Sequence, residues 1–464
     1  MITIFRRTVF DFMKSMQFWM LLAFSVVLFL TDGLLFCSRY SESRARYDQA
    51  TASFAPSTSQ QILPVPPAQL GFIHAGGSFS MPTQYKLEPK GVITPITASS
   101  ANVKLPVVPS LDWMFIITII FSLFVVLIGY DAVSGEREDG TLKLTLSNPL
   151  SRVRFGIAKY CAILFVAAIA LLSGVIADII LIGSFHPELL TIDTLVSAGA
   201  IIGAALLLCS LFAFLSIMVS AFVQSSPVAL LILLVIWVCF TIIIPNTAPV
   251  VARSFTTIAS ELQTTQSTQK ILEEDMNDLM KRIDNNAVKG VYQSREDLER
   301  DAYAVYDEVQ SRILRQYEVY NNAMRERNRT ARQLARISPT ALFGYAAESM
   351  TRTGELHDAL FRQAVQHYSE QYDQYILNKV GKLTQQSIWS FMFSFKLNDA
   401  EVRVKSQFPE EYKGDMSDFP RFHPPRFPLS AGFFTALGDI AGLVVWNFLM
   451  AVGAFAAVQR MDVR

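Results

Sequence analysis

Apolar positions fall into six long runs, at residues 16–36, 111–129, 160–185, 195–219, 228–244 and 431–458. Each is close to the roughly 20 residues that cross the hydrocarbon core of a bilayer. The polar segments between them are very unequal. Residues 186–194 and 224–227 make short turns, whereas residues 38–110 and 245–430 are long. In the first long segment Pro64, Pro66, Pro67, Pro82, Pro89, Pro95, Pro106 and Pro109 punctuate short β-prone stretches such as 91–96. That pattern predicts a small β-rich or irregular module, helical only in its first turns. In the second, Leu272, Met276, Leu279 and Ile283 step at helical spacing. Leu298, Ala302, Val305 and Val309 repeat the pattern, and Ile313, Tyr317 and Tyr320 continue it. Two long amphipathic helices, broken near 285–290 and packed as a hairpin, fit these stripes. A further helical region spans about 339–380, and residues 404–428 turn polar and proline-rich.

The predicted fold class is therefore mainly α: a polytopic membrane protein with six spans. Residues 1–37 give an N-terminal helix and the first span. Residues 38–110 form an extracytoplasmic module, and 111–244 carry spans two to five with a loop at 130–155. Residues 245–430 form a helical extracytoplasmic domain, and 431–464 the sixth span and tail. In residues 1–15, Ile2, Phe5, Val9, Phe12 and Met13 recur at helical spacing between Arg6, Arg7 and Lys14. This suits a helix lying on membrane lipid, its basic side toward the headgroups, or a plain extension of the first span. That span is too long for a signal-peptide core and is followed by no small-residue cleavage site. It reads as an uncleaved anchor. Arg137, Lys143, Arg152 and Arg154 place the 130–155 loop in the cytoplasm, and both termini with it. Trp113 and Tyr130 flank the second span as interfacial aromatics. The expected location is the cytoplasmic membrane.

Composition narrows the function. Charged residues are 17% of the 464, and Lys+Arg and Asp+Glu balance at 40 each, which gives no basic face for nucleic acid. Cys37, Cys161, Cys209 and Cys239 lie in or beside the spans, so no disulfide framework is expected. The chain has no GxxxxGK[ST] phosphate loop, HExxH or CxxC, and its histidines (His74, His186, His357, His367, His423) lack ligand spacing. No catalytic or metal site is predicted.

The loop is the segment rich in specific order: Ser134-Gly135-Glu136-Arg137-Glu138-Asp139-Gly140-Thr141-Leu142-Lys143-Leu144-Thr145-Leu146-Ser147, closing on Asn148-Pro149. Gly135 and Gly140 can break the descending helix. Leu142, Leu144 and Leu146 give a short apolar face that Pro149 ends. Physics alone allows either a surface element seated in a partner's groove or an ordinary solvated loop.

These residues resemble the SGE-R-GTL-LLLS-P-SR signature of ABC exporter permeases of the type-two class, including those of multi-copper enzyme maturation and gliding machinery. Ile337-Ser338-Pro339-Thr340-Ala341-Leu342-Phe343 is similar to a region of longer members with a large extracytoplasmic insert. The resemblance implies a permease subunit, not an enzyme, coupled to export. ATP and Mg would sit on a separate ABC ATPase, present in two copies, and the permease would pair with a second copy or a related permease. It further implies that the loop is a coupling helix that docks on the ATPase, with Ser134, Gly135, Glu136, Arg137, Gly140, Thr141 and Leu142 as the coupling residues and Glu136, Arg137, Gly140, Thr141 and Leu142 at the contact itself.

Three carboxylates, Asp32, Asp178 and Asp439, lie inside spans, in the half away from the loop. Charge is costly in lipid, so each should face protein or water. No Lys or Arg within a span is available to pair with them. They line either a polar outer vestibule or three separate contacts. Two other readings of the chain stand beside export. One is mechanotransmission, in which ATP hydrolysis drives work outside the membrane. The other is an anchored adaptor without an ATPase.

Overall fold

The structure is a computed structural model that describes residues 2–75, 82–89, 92–96, 111–147, 151–255, 261–289, 291, 295–380, 392–397, 400–405, 414–425 and 428–461. Six helices are long and apolar enough to cross a membrane. The chain is thus a mainly α, polytopic membrane protein.

Helix α1 (Ile2–Lys14) precedes α2 (Met16–Ala52). Ser15 separates them; its Oγ accepts the Phe18 N–H at 3.2 Å and caps α2. The break makes α1 a helix of its own that packs on the third span, with Phe5 against Phe165. Helix α2 does not stop where its apolar run ends. It continues about four turns past Phe36, held by the i,i+4 pairs Arg44–Asp48 and Arg46–Glu42. The first long polar segment therefore begins as helix through several turns, because its first proline of any kind is Pro56, past the end of α2.

The second span is α3 (Trp113–Phe115), a π-helical turn at Ile116–Phe121, and α4 (Ser122–Gly129). The loop follows as α5 (Ser134–Glu138) and α6 (Thr141–Ser147). Helix α7 (Arg152–Phe185) is the third span and α8 (Ile192–Phe222) the fourth. The fifth is α9 (Ser226–Val238), a second π-helical turn at Cys239–Ile243, and α10 (Ile244–Phe255). Helix α15 (Leu429–Arg460) is the sixth.

Small residues set how closely the spans approach. A Cβ at Gly33 would collide with Asp178, and one at Gly174 with the Phe29 ring, so α2 and α7 touch through their glycines. Ser25 Oγ donates to the Ala170 carbonyl at 2.9 Å across the same seam. Tyr160 stacks on Phe214 with centroids 4.0 Å apart, joining α7 to α8. Asn447 Nδ2 donates to the Leu207 carbonyl at 3.0 Å, joining α15 to α8.

Outside the spans, α11 (Glu261–Val288) and α12 (Arg295–Ala335) pair as the expected hairpin. Arg282–Asp301 and Arg312–Asp275 bridge them, and Ile283 is buried between. The helical region over 339–380 is built of two helices. Helix α13 (Pro339–Thr351) ends at Arg352, whose φ of 56° lies in the left-handed region. Helix α14 (Glu355–Val380) then begins. They serve different bodies. Helix α13 packs on α8 and α15, and its Leu342, Phe343, Ala346, Ala347 and Met350 belong to the main core of the spans. Residues 339–351 are therefore part of the helix bundle, although the sequence groups them with the domain at 245–430.

Helix α14 instead builds a second core with the first polar segment. Strands β1 (Gln61–Pro64), β2 (Gln84–Glu88) and β3 (Val92–Ile96) form an antiparallel sheet, as the β-prone stretch at 91–96 predicts. Leu63, Tyr85 and Leu87 of that sheet pack with Phe361, Val365, Tyr368, Tyr372 and Ile376 of α14, and with Phe419. Tyr85 donates to Asp358 at 3.0 Å and Tyr372 to the Ser57 carbonyl at 3.1 Å. Burial first, and the Asp358 charge second, push the Tyr85 phenol above the ordinary tyrosine range, so it remains a donor. The sheet of the first polar segment and α14 of the second thus share one core. Strands β4 (Met392–Leu397) and β5 (Ala400–Lys405) form a separate hairpin beside α11. Prolines 106, 109 and 149 lie outside the described residues.

Phe361 is fully buried at the centre of this joint core. Phe361→Ala should cost about 3–5 kcal/mol and strip hydrogen-exchange protection from β2 as well as α14. Protection retained in β2 would mean that the segments fold independently.

Candidate functional site

The loop between α4 and α7 is tightly bound to the spans. The second span ends in a turn at 130–133, ahead of Gly135, which lies inside α5. Gly140 makes the second break: its φ of +71° is left-handed, and the space a Cβ would fill there is empty. Leu142 is buried in the main core.

Ser134 is the hub. Its N–H and that of Val133 both donate to Ser220 Oγ at 3.0 Å. Its own Oγ lies 3.1 Å from both Ser220 Oγ and Ser226 Oγ. Arg137 donates to the Val223 carbonyl at 2.6 Å and the Ala221 carbonyl at 3.2 Å. Those carbonyls end α8 and have no helical partner of their own, so the guanidinium caps the helix. Glu138 accepts the Ser226 N–H at 2.8 Å and its hydroxyl at 2.9 Å. A carboxylate there meets the positive end of the α9 dipole. Glu136 pairs with Lys159 of α7 at 2.5 Å. Thr141 Oγ1 donates to the Glu136 carbonyl at 3.2 Å. Arg152 donates to the carbonyls of Gln459 and Met461 at 2.8 and 3.2 Å. The 223–225 turn, which carries no charge to indicate its side, therefore stands against the loop, as does the end of α15.

The signature residues are thus brought together, but most face inward. Asp139, Gly140 and Lys143 are exposed, while Gly135, Glu136, Arg137 and Thr141 are partly covered and Ser134 and Leu142 are buried. Ser220, Ser226 and Glu138 were missed from sequence. Ser225-Ser226-Pro227 is a helix-start pattern that marks the beginning of α9, but nothing local says that the loop would dock there.

Two of the three intramembrane carboxylates come together. Asp178 accepts the Trp113 indole N–H at 2.6 Å, and its other oxygen lies against Gly33, next to Asp32. Asp32 Oδ2 and Asp178 Oδ1 accept no hydrogen bond among the described residues. Trp113 is therefore not an interfacial flank; it is fully buried, with Phe29 and Phe72 against its ring. Asp439 stands apart, and it does have a cation. Arg336, from beyond the end of α12, reaches it with Nε at 2.7 Å and Nη2 at 3.3 Å. No residue within a span supplies that charge, so a search confined to the spans could not find it. The junction is reinforced next door. The hydroxyls of Ser338 and Thr340 both donate to the Phe240 carbonyl, Thr340 at 2.8 Å. Phe240 sits in the π-helical turn of the fifth span, where the helical ladder is interrupted. Ser338 also caps α13, with Pro339 at its first turn. No group of metal-ligating side chains occurs among the described residues.

Glu136→Ala should leave the Lys159 ammonium buried and unpaired, costing roughly 3–5 kcal/mol. Adding Lys159→Met should recover much of that loss. Thermal unfolding of the two single variants and the double variant measures this; strictly additive losses would show that the pair is not coupled.

Among curated proteins none matches the chain. A family model described as ABC-2 family transporter protein matches residues 8–395, which includes the loop, five spans, the hairpin and α13. Proteins of this family are membrane components of ABC transporters, are not themselves catalytic, and associate with an ABC ATPase subunit. With a match over most of its length and six membrane-spanning helices, the chain belongs to the ABC-2 transporter family and is a multi-pass membrane permease component.

Proposed function

We propose that the chain is the permease subunit of an ABC exporter in the cytoplasmic membrane, with its loop and both termini on the cytoplasmic side. Two copies of a separate ATPase would hold ATP and Mg, and the permease would work as a pair with itself or a related chain. The observation that carries this reading is the locking of residues 134–142 to three spans at once. Ser134, Arg137 and Glu138 hold the α8–α9 turn, and Glu136 holds α7. A push on such a block moves α4, α7, α8 and α9 together instead of deforming a loop. The signature then divides by role. Ser134, Gly135, Glu136, Arg137, Thr141 and Leu142 position the block, and the exposed edge at Asp139, Gly140 and Lys143 meets the ATPase. The narrower likeness to copper-maturation and gliding permeases fits the large insert, and the cargo is left to that insert to define.

A second reading, mechanotransmission, draws on the α12–α13 junction. Arg336–Asp439 and the Ser338/Thr340 contacts tie the base of the hairpin to the fifth and sixth spans. Motion of those spans would swing a hairpin whose 28-residue α11 is about 42 Å long.

Asp139→Arg and Lys143→Glu, both at exposed side chains, test the coupling edge without touching its internal contacts. Each should abolish copurification of the ATPase, while hydrogen exchange across 134–142 stays as in the unaltered chain. Undiminished copurification in both would remove the loop as the docking element.

A further inference from the structure

Six arginines gather where the hairpin returns to the membrane. The helix that ends in α10 runs from Ser226 to Phe255 over 30 residues. At 1.5 Å per residue it is about 45 Å long, the thickness of a bilayer with its headgroup layers. Arg253, two residues from its end, therefore stands at headgroup depth. Val250, Val251 and Phe255 around it are exposed, as a lipid-facing surface would be.

Helix α12 returns along α10, with Ala335 in the same small cluster as Ala248. Counting outward from that contact, Arg329 reaches the level of Arg253, and Arg325 lies one turn beyond. Arg327 shares this stretch, and Arg332 and Arg336 lie one and two turns deeper. The side chains of Arg329 and Arg336 are 72% and 45% exposed, and Arg253 and Arg325 are exposed too. Arg336 keeps that exposure although Asp439 engages it. Glu326, Glu348 and Asp439 pair with Arg329, Arg332 and Arg336. The collar is strongly basic, and it lies on the side opposite the 134–142 loop, where charge rules give no reason for arginine.

We propose that this arginine collar binds the anionic headgroups of phospholipids in the leaflet on the hairpin's side, and so pins the base of the hairpin to the membrane surface. Depth matches the headgroup layer, apolar residues flank the charges, and the guanidinium group suits phosphate through paired hydrogen bonds. Each basic residue near an anionic surface favours binding by roughly fivefold.

The test uses the full chain in detergent micelles doped with phosphatidylglycerol or phosphatidylcholine, read by thermal unfolding and by lipids retained in native mass spectrometry. The basic helix α1 would add its own preference, so the parent carries Arg6→Gln, Arg7→Gln and Lys14→Gln. That parent should still prefer phosphatidylglycerol. Adding Arg253→Gln, Arg325→Gln and Arg329→Gln, none of which holds a core contact, should reduce the preference by on the order of tenfold or more. Adding Lys270→Gln and Lys281→Gln on α11 instead should leave it unchanged. An unchanged preference in the collar variant, or a parent with none, overturns the proposal. Equal protection by soluble glycerol phosphate would also overturn it, in favour of a free-phosphate site.

Discussion

In a bilayer, a polar group without a partner has no water to fall back on. Much of this structure answers that constraint. The clearest case is the Arg336–Asp439 pair: a carboxylate built into the sixth span is neutralised by a guanidinium from a segment more than a hundred residues away in sequence. The fifth span shows the same logic. Its π-helical turn frees the Phe240 carbonyl, and the hydroxyls of Ser338 and Thr340 occupy it. Together these contacts draw α13 into the bundle, where its apolar face joins the core.

The same requirement shapes the opposite end of the bundle. The last carbonyls of α8 and the first N–H groups of α9 are unsatisfied by their own helices. Arg137 serves the former and Glu138 the latter. A motif that looks from sequence like a surface for a partner is, in most of its atoms, a capping device for the chain's own helices. What is left exposed is a narrow edge around Gly140. In the proposed coupling role, rigidity behind that small contact is what the loop needs, since a loop that yields would absorb the motion.

Outside the spans, the chain joins distant segments in place of forming separate modules. The sheet at 61–96 cannot bury its inner face alone, and α14 supplies the aromatic residues that cover it. Helix α2 continues beyond its apolar run and leads directly into this body. The hairpin of α11 and α12 stands beside it, held by cross-helix ion pairs and rooted at the Arg336 junction.

Local pattern alone determined the six spans, the two-helix hairpin with its break and the strand at 92–96. Each depends on a periodicity or a run length that a short window contains. The signature at 134–142 was also legible. Its contacts were not, because Ser220, Ser226 and Lys159 lie at separations no window covers. Tertiary structure decided that α13 belongs with the spans while α14 belongs with the sheet, although the two are adjacent and read as one helical region. It decided that Trp113 is an internal donor to Asp178 and not an interfacial anchor. It also decided that Asp439 has a cation while Asp32 and Asp178 lie together. The reason is common to all of these. A residue type shows which partner it requires, but which group in the chain arrives to meet it depends on how the helices pack.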